Sequence, residues 1–483
     1  MGFSFGTPEK VVFEKERCGE LFQTDAYING KFVKTGSVFE VTNPANAEVI
    51  AEIASCGVPE TESAIDAAEI AFKTWRKMTP KTRGALVAKW GDLITANADK
   101  IGAIITFENG KPLGEGKGEA NYSASFCEWA AGEGRRVHGE TIPWSDRRIV
   151  TIKQPIGVVG MIAPWNFPAA MIARKVAPAI AVGCTVVIKP AALTPLSALA
   201  LAKLADQAGI PPGVVNILPT SEELTPAVGE TICRSPKVTA LSFTGSTRVG
   251  KLLLSQCAGT VKKCSMELGG QAPFIVFPSA DLDKAVAGLM ASKVNCLYYQ
   301  DANTGQTCVC SNNIMVHAEV HDQFVAKLVQ SVKDELKFGD ILNGATMGPM
   351  INQMGVDKVK RHLEDALEKG AKLEIGGDSL GGLYLEPTVV SNVSWDSLCF
   401  KEEIFGPLAA IGKFESEDTV VEFLNTARVG LAGYFFSRDA GQKMILFKLL
   451  RGSFWRSKRI WTGQRRSTDR MRRVFRNQIH MLC

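Results

Sequence analysis

The stretch IGVVGMIAP, residues 156–164, decides the fold together with three later runs of the same kind. These are CTVVIKP (184–190), GVVNILP (213–219) and VTALSFTG (238–245). Short, nearly continuous runs of β-branched and other apolar residues are typical of strands that are buried on both faces of a sheet. Helical segments separate these runs. The alternation predicts right-handed βαβ units in an open, mostly parallel sheet, which is the α/β class.

The clearest helix between these strands is predicted at residues 195–208. We expect Thr194 to be its N-cap, Pro195 its first helical residue and Gly209 its end. Upstream, apolar residues recur at spacings of three and four, which predicts helices across residues 61–110.

The bulk composition is that of a globular protein of two or three domains, with 483 residues, 46% hydrophobic and 22% charged. No stretch approaches 18 uninterrupted apolar residues, and the acidic N-terminal stretch lacks the pattern of a signal or transit peptide. We therefore expect a cytoplasmic protein without a membrane partner. The 12 cysteines are expected to be thiols, and no Cys or His spacing indicates a metal site.

Ligands of an open parallel sheet bind at the carboxyl ends of its strands, so the residues that follow each run are candidates for a site. These residues are Asn166, Lys189 and the segment GSTRVG at 245–250. The glycine turn of that segment leads into a helix whose first N–H groups suit a pyrophosphate, although a purely structural turn explains it equally well.

Six motifs together resemble the aldehyde dehydrogenase superfamily in order and spacing: PWNFP, IKPA, FTGSTRVG, MELGGQAPFIVF, NTGQTCVC and EEIFGP. The similarity runs from about residue 25 to 440. Within the superfamily, ENGKP, the stretch from 153 to 191 and SFTGSTRVGKLLL look most like the succinate-semialdehyde dehydrogenases.

The resemblance implies a Rossmann-type cofactor domain, a second α/β catalytic domain and a small oligomerisation hairpin. A second α/β region is predicted to start near residue 267, with the glycine pair Gly269 and Gly270 as its boundary. It implies an NAD- or NADP-dependent enzyme that is a homo-oligomer, and a mitochondrial location for animal members. The expected segments are 1–137 with 156–268 for the cofactor, 138–155 for the hairpin, 269–442 for catalysis and 443–483 as an atypical basic tail.

Oxidising an aldehyde requires an adduct that can expel hydride, and a thiolate supplies one by adding to the carbonyl. By resemblance Cys308 is this nucleophile, Asn166 and the Cys308 backbone N–H hold the oxyanion, and Glu267 activates water to hydrolyse the thioester. Taken singly, such a cysteine is more often a core residue and such a glutamate could be a surface carboxylate, but the ordered set of motifs favours the catalytic role for both. Cys310 is either a packing residue or the partner of Cys308 in an inactivating disulfide.

Thirteen residues match the family's cofactor site. They are Arg174, Lys189, Pro190, Ala191, Ala192, Gly245, Ser246, Thr247, Arg248, Val249, Gly250, Glu403 and Phe405. Structural alternatives are a salt-bridged lysine, a plain turn and a helix-capping glutamate. At Ala192, members that prefer NAD commonly have a glutamate that would repel a 2′-phosphate, so NADP should be tolerated here.

The carboxylate of succinate semialdehyde needs a cation, and Arg174 stands where the subfamily has one such arginine, with a structural salt bridge as the alternative. A second arginine is expected six residues before the nucleophile, but Ala302 occupies that position. Nine residues, 294–302, stand between Lys293 and Asn303, where the family pattern has two.

The tail from 443 to 483 carries 12 Lys and Arg against one acidic residue, which explains the net charge of +5. A solvated or polyanion-binding tail would have this composition. If codons from Ser453 are read one base later, allowed translations include PFGGVKESGLGREG and, further along, EYLEIKYIC, which are typical of the family. Our hypothesis is that the tail, and similarly the insertion near Tyr298, reflect splicing or frame faults. Two alternative functions stay open: a dehydrogenase of another small aldehyde, or an inactive relative that only binds cofactor or polyanions. No nucleic-acid partner is expected.

Overall fold

The computed structural model describes residues 4–9, 11–294, 303–427, 429–439 and 441–442, and the backbone of 460–462. The strands are β1 (Ala26–Ile28), β2 (Lys31–Val33), β3 (Val38–Thr42), β4 (Val49–Ala54), β5 (Thr141–Trp144), β6 (Arg147–Val150), β7 (Val158–Ile162), β8 (Thr185–Lys189), β9 (Val215–Ile217), β10 (Val238–Gly245), β11 (Lys263–Leu268), β12 (Ala272–Val276), β13 (Ser311–His317), β14 (Lys372–Ile375), β15 (Ser379–Gly381), β16 (Tyr384–Leu385), β17 (Thr388–Ser391), β18 (Leu408–Phe414), β19 (Gly433–Phe436) and β20 (Ile460–Thr462).

The described chain also contains α-helices throughout its length. They are α1 (Lys15–Cys18), α2 (Val58–Trp75), α3 (Pro80–Ala96), α4 (Ala98–Asn109), α5 (Leu113–Glu133), α6 (Ala170–Val182), α7 (Leu196–Ala208), α8 (Thr225–Arg234), α9 (Thr247–Cys257), α10 (Leu282–Leu289), α11 (Ala318–Glu335), α12 (Gln353–Glu368), α13 (Leu398–Lys401) and α14 (Glu417–Thr426). The helices predicted across 61–110 are α2, α3 and α4.

The first seven-stranded sheet has the order β11-β10-β7-β8-β9-β1-β2. The four predicted strands are β7, β8, β9 and β10, which pair in parallel in this sheet. Near one edge, β1 pairs antiparallel with both β9 and β2. All five residues of β8 are buried, as their continuous apolar run predicted. Helices α3, α5, α6 and α7 contribute to the largest apolar core of the described chain, together with β7 and β8.

The second seven-stranded sheet has the order β14-β17-β18-β13-β12-β19-β20. Gly269 and Gly270 lie between β11, the edge strand of the first sheet, and β12, which is in the interior of the second. The chain thus passes from one sheet to the other at these glycines. The domain limits themselves stay predictions.

Strands β5 and β6 form a separate antiparallel hairpin within the segment 138–155. Every residue of both strands is exposed, including the apolar Trp144, Ile149 and Val150.

The predicted N-cap of α7 was wrong. The helix begins at Leu196 with Pro195 in the cap position, and the Thr194 hydroxyl is buried without a hydrogen-bond partner in the described chain. The carboxylate of Glu108, on α4, accepts from the Leu196 and Ser197 N–H groups at 2.7 and 2.9 Å instead. A carboxylate brought by tertiary folding therefore replaces the local cap.

Two predictions fall largely outside the described residues. The insertion is one: a π-helical turn, Met290–Val294, is the last element before it, and Ala302 lies beyond the described part. The basic tail is the other, and only the backbone of β20 is described there, parallel to β19. Within the described ranges, no helix combines the length and apolar character needed to cross a bilayer.

Candidate active site

Asn166 follows β7 and precedes α6, so the sheet presents it at the carboxyl end of its strands. Its side chain is 3% exposed. The Nδ2 group donates a hydrogen bond to the backbone carbonyl of Gln306 at 3.0 Å, only two residues before Cys308. The first and fifth sequence motifs, which are far apart in the chain, therefore meet.

The loop that leads to Cys308 has an unusual backbone. Asn303, Thr304 and Gly305 all have positive φ, at 42°, 54° and 75°. A Cβ on Gly305 would lie 2.2 Å from the carbonyl oxygen of Gly406, so only glycine fits there without movement. The Gln306 side-chain oxygen accepts from the Ile351 N–H at 2.9 Å. These contacts hold the loop in one conformation.

The two cysteines of this loop differ in exposure. Cys308 is half-buried, whereas Cys310 is 7% exposed and lies directly before β13. Both are present as thiols. The Cys310 N–H donates to the Thr307 carbonyl at 2.9 Å, which forms a tight turn around Cys308. The burial of Cys310 suits the packing alternative and leaves its redox role a prediction.

Glu267 is half-buried on β11, in register with Thr244 of β10. Its charge acts on Lys175, a buried residue of α6 whose ammonium group donates to the Ser242 hydroxyl at 2.9 Å. Burial lowers the pKa of Lys175 to about 7, and the negative charge of Glu267 opposes that shift. Sequence reasoning missed Lys175, although a second cation after Arg174 in an apolar helix was a usable signal.

The cofactor candidates of the first sheet lie at the ends of β8 and β10. Ser246 is exposed and caps α9, with its hydroxyl accepting from the Val249 N–H at 3.3 Å. Thr244 just before it is buried, and within the described chain its hydroxyl has no hydrogen-bond partner. An unpartnered buried hydroxyl beside a helix N-terminus is a donor set that fits a dinucleotide.

Lys189 ends β8 and is 4% exposed. Its ammonium donates to the Pro190 carbonyl at 3.0 Å, and no salt bridge joins it to a described acid. Burial lowers its pKa to about 8, which the charge of Glu222 opposes. Beyond it Pro190 is buried, and Ala191 and Ala192 are half-buried. In the turn and first helical residues of α9, Arg248 is exposed, Gly245, Thr247 and Val249 are half-buried, and Gly250 is buried.

Glu403 and Phe405 come to the site from the second sheet's side. The carboxylate of Glu403 accepts from the Gly270 N–H at 3.4 Å, and burial raises its pKa to about 7. This contact differs from the helix cap that was the structural alternative. The Phe405 ring meets Trp165 edge to face, with ring centroids 5.7 Å apart. Motifs from both sheets therefore converge on the Asn166 loop.

Arg174 lies on α6, two turns beyond Asn166, and is 8% exposed. Its guanidinium stands over the Phe126 ring at 5.6 Å and its Nη1 is 3.7 Å from the Met171 sulfur. No described carboxylate lies within salt-bridge distance, so the structural salt bridge is not found in the described part. Among the described residues, no cluster of His, Cys, Asp or Glu is arranged to hold a metal ion.

Known proteins are similar to this chain in both sequence and fold. The chain is 50% identical over 428 residues to the mitochondrial succinate-semialdehyde dehydrogenase of Rattus norvegicus, which covers 88% of this chain and 80% of the relative. It is 48% identical over 426 residues to the succinate-semialdehyde dehydrogenase [NADP(+)] of Escherichia coli K12, covering 87% and 86%.

A crystal structure of succinate-semialdehyde dehydrogenase from Burkholderia pseudomallei superposes with a TM-score of 0.87 at 47% identity, over 92% of this chain and 90% of that one. The profile of the aldehyde dehydrogenase family matches residues 32–455. The fold, the ordered motifs and these similarities agree, and the chain belongs to the aldehyde dehydrogenase family.

Proposed function

We propose that this oxidoreductase converts succinate semialdehyde to succinate with NAD or NADP. In the balanced reaction, aldehyde, water and the oxidised cofactor give carboxylate, reduced cofactor and two protons. The observation that carries the substrate is the buried Arg174 guanidinium, which has no carboxylate partner in the described chain. A buried cation of this kind suits a carboxylate-bearing ligand. The names of the relatives support the same substrate.

In the first step the Cys308 thiolate adds to the aldehyde carbon, and the carbonyl oxygen becomes an oxyanion. The Asn166 amide has two N–H bonds, of which one is used by the Gln306 carbonyl, so the second can donate to that oxyanion. The Cys308 backbone N–H is the other donor. Since the turn at 307–310 and the positive-φ loop before it are held by hydrogen bonds, these donors are positioned before substrate arrives.

The cofactor, when bound, accepts the hydride that leaves the aldehyde carbon. We assign its binding to Lys189, to the segment 245–250 and to Glu403, with Phe405 beside it. The unpartnered Thr244 hydroxyl and the first turn of α9 support this assignment. Ala192 places no carboxylate against a 2′-phosphate, so we expect NADP to be accepted along with NAD.

In the last step Glu267 removes a proton from water, the water oxygen adds to the thioester carbon, and the carbon–sulfur bond breaks to release the acid. Lys175 is a buried cation whose pKa is raised by the negative charge of Glu267 against the lowering effect of burial. Because burial holds the pKa of Lys175 near 7, the charge of this side chain changes close to neutral pH.

The test compares succinate semialdehyde with butanal, its uncharged analogue, by following reduced-cofactor formation with NAD and with NADP. Arg174→Met should raise KM for succinate semialdehyde at least tenfold and leave butanal oxidation within threefold. Cys308→Ala should abolish both. Equal effects of Arg174→Met on the two aldehydes would reject carboxylate recognition by this residue while leaving the thiol chemistry in place.

A second candidate is a folded chain that binds cofactor but does not turn over. It is favoured by the family match ending at residue 455, within the basic tail of residues 443–483, and by the insertion next to the nucleophile. Purified protein that binds NADP and shows no turnover with either aldehyde would establish it. Sequencing the transcript would decide whether the tail and insertion are encoded as written.

We further propose that the chain self-associates through the hairpin β5–β6, since its apolar residues are exposed. Two compartments are candidates: the cytoplasm expected in the sequence analysis and the mitochondrion, which the name of the rat relative gives for that protein. Cell fractionation distinguishes the two locations.

A further inference from the structure

The segment Glu108–Lys111, where α4 ends and α5 is about to begin, holds the loop that carries Asn166. The Asn109 side-chain amide donates to the Trp165 carbonyl at 3.0 Å, and the Lys111 ammonium donates to the Asn166 carbonyl at 2.9 Å. Two consecutive carbonyl groups of the loop are therefore bound by side chains from a helix end more than 50 residues earlier in the sequence.

Lys111 forms an ion pair with Glu119 at 2.7 Å, and their side chains are only 1% and 0% exposed. The other oxygen of Glu119 accepts from the Ala169 and Ala170 N–H groups, at 2.8 and 3.1 Å, where α6 begins. The pair thus binds the backbone at two places, the carbonyl of Asn166 and the two N–H groups of Ala169 and Ala170 just beyond it.

The Asn166 carbonyl has a second donor, the Asn303 side-chain amide at 3.0 Å, which belongs to the nucleophile loop. The Asn166 side-chain oxygen, in contrast, is buried without a hydrogen-bond partner in the described chain. The direction of the Asn166 amide is therefore determined by its fixed backbone and by its single bond to Gln306.

A buried ion pair is a poor way to increase stability, because desolvating two charges offsets most of their attraction. An apolar pair of similar size would pack as well. The pair does, however, make directional hydrogen bonds to the backbone around Asn166. Lys111 donates to the Asn166 carbonyl, and one Glu119 oxygen accepts from the Ala169 and Ala170 N–H groups.

We propose that the buried Lys111–Glu119 pair is a positioning device for Asn166, holding its amide where the oxyanion forms. This proposal rests on the proposed function, in which Asn166 is the oxyanion donor. Lys111 and Glu119 are positioning residues, since they act on the reaction only through the Asn166 loop.

The test variant is the double substitution Lys111→Met with Glu119→Gln. A single substitution would leave one buried charge without its partner and could prevent folding, whereas the double one removes both charges. The glutamine oxygen still accepts from the Ala169 and Ala170 amides, so the change is confined mainly to the Asn166 carbonyl.

Arg83→Met is the matched control. Arg83 is also a buried cation that binds the backbone of α6, but at the opposite end, where it donates to the Ala181 and Val182 carbonyls at 3.0 and 3.3 Å. The Arg83→Met variant should have a lower melting temperature and a kcat within twofold of the parent. Any general effect of loosening α6 would therefore appear in both variants.

Two measurements test the proposal in the full chain. Hydrogen exchange of the peptide spanning 164–170 should become at least tenfold faster in the double variant and stay unchanged in Arg83→Met. In a double-mutant cycle, the double variant should lower kcat about tenfold in the parent, with KM within twofold, but less than twofold in the Asn166→Ala background.

Unchanged exchange across 164–170 would overturn the proposal, whether or not the chain turns over. An equal loss of kcat in both backgrounds would overturn it as well, because it would indicate a structural effect unrelated to Asn166. If Asn166→Ala itself retains the parental kcat, the oxyanion role assigned to Asn166 is wrong, which is a failure of the proposed function and is seen separately.

Discussion

The conformation of the nucleophile loop makes Gly305→Ala a sharp test of the site. At this position φ is +75°, and a Cβ would lie 2.2 Å from the Gly406 carbonyl oxygen and 2.5 Å from its carbon. An ordinary carbon–oxygen contact is more than 3 Å, so the loop or the segment at Gly406 opposite it must move by about 1 Å. The left-handed backbone adds about 1 kcal/mol of strain for a residue with a Cβ.

Since Cys308 is three residues beyond Gly305, a 1 Å displacement should misdirect the thiol, and such misplacement costs about 100-fold in rate. The assay is steady-state turnover, with the melting temperature measured in parallel. Gly370→Ala is the control: it has φ of +87° but nothing within 4 Å of the added Cβ. It should lose about 1 kcal/mol of stability and no activity. A folded Gly305→Ala enzyme with kcat within threefold of the parent would refute the reasoning.

Three further predictions follow from buried and exposed groups. Burial raises the pKa of Glu108 to about 8, so the folded chain binds this proton more tightly than the unfolded chain. As pH rises from 5 to 8, the parent should therefore lose stability relative to the Glu108→Gln variant. Chemical unfolding at several pH values measures this stability difference, and a pH-independent difference would contradict the prediction. If Cys308 and Cys310 form a disulfide, peroxide should inactivate the parent and a thiol reductant should restore its activity, whereas Cys310→Ser should not recover. Equal recovery of both proteins would leave packing as the role of Cys310. Trp144→Ser should reduce self-association in analytical ultracentrifugation, because Trp144 is 65% exposed on the hairpin. Val261 is 89% exposed elsewhere on the surface, so Val261→Ser should leave self-association unchanged. An unchanged oligomeric state in Trp144→Ser would argue against the hairpin contact.

Much of the first sheet was predictable because its strands are buried on both faces. The residues of β7, β8 and β10 form continuous apolar runs that few other structures would explain, and β10 was predicted with its observed limits. The cap of α7 was not predictable, since the group that satisfies its N–H groups is Glu108, 88 residues away. Local sequence suggested Thr194, and a tertiary contact overrode it.

The candidate site shows the same division. Cys308, Glu267 and Asn166 were identified by motif, and their roles remain predictions that the convergence of the loops supports. Lys175 was missed because only the tertiary structure brings it next to Ser242 and into the field of Glu267. Lys111 belongs to the ENGKP stretch that carried the resemblance, but no role was predicted for it or for Glu119, and the pair is recognised only when both are found buried against the Asn166 loop.

The sequence by itself determined the α/β class, the parallel sheet and the family, because periodicity and ordered motifs are local properties of the chain. The tertiary structure alone decided how segments around residues 108, 166, 306 and 403 meet, and which buried charges have partners. Burial and partnership depend on residues distant in sequence. They are therefore the quantities that set the pKa of Lys175, the direction of the Asn166 amide and the unpaired state of Arg174 in the described chain.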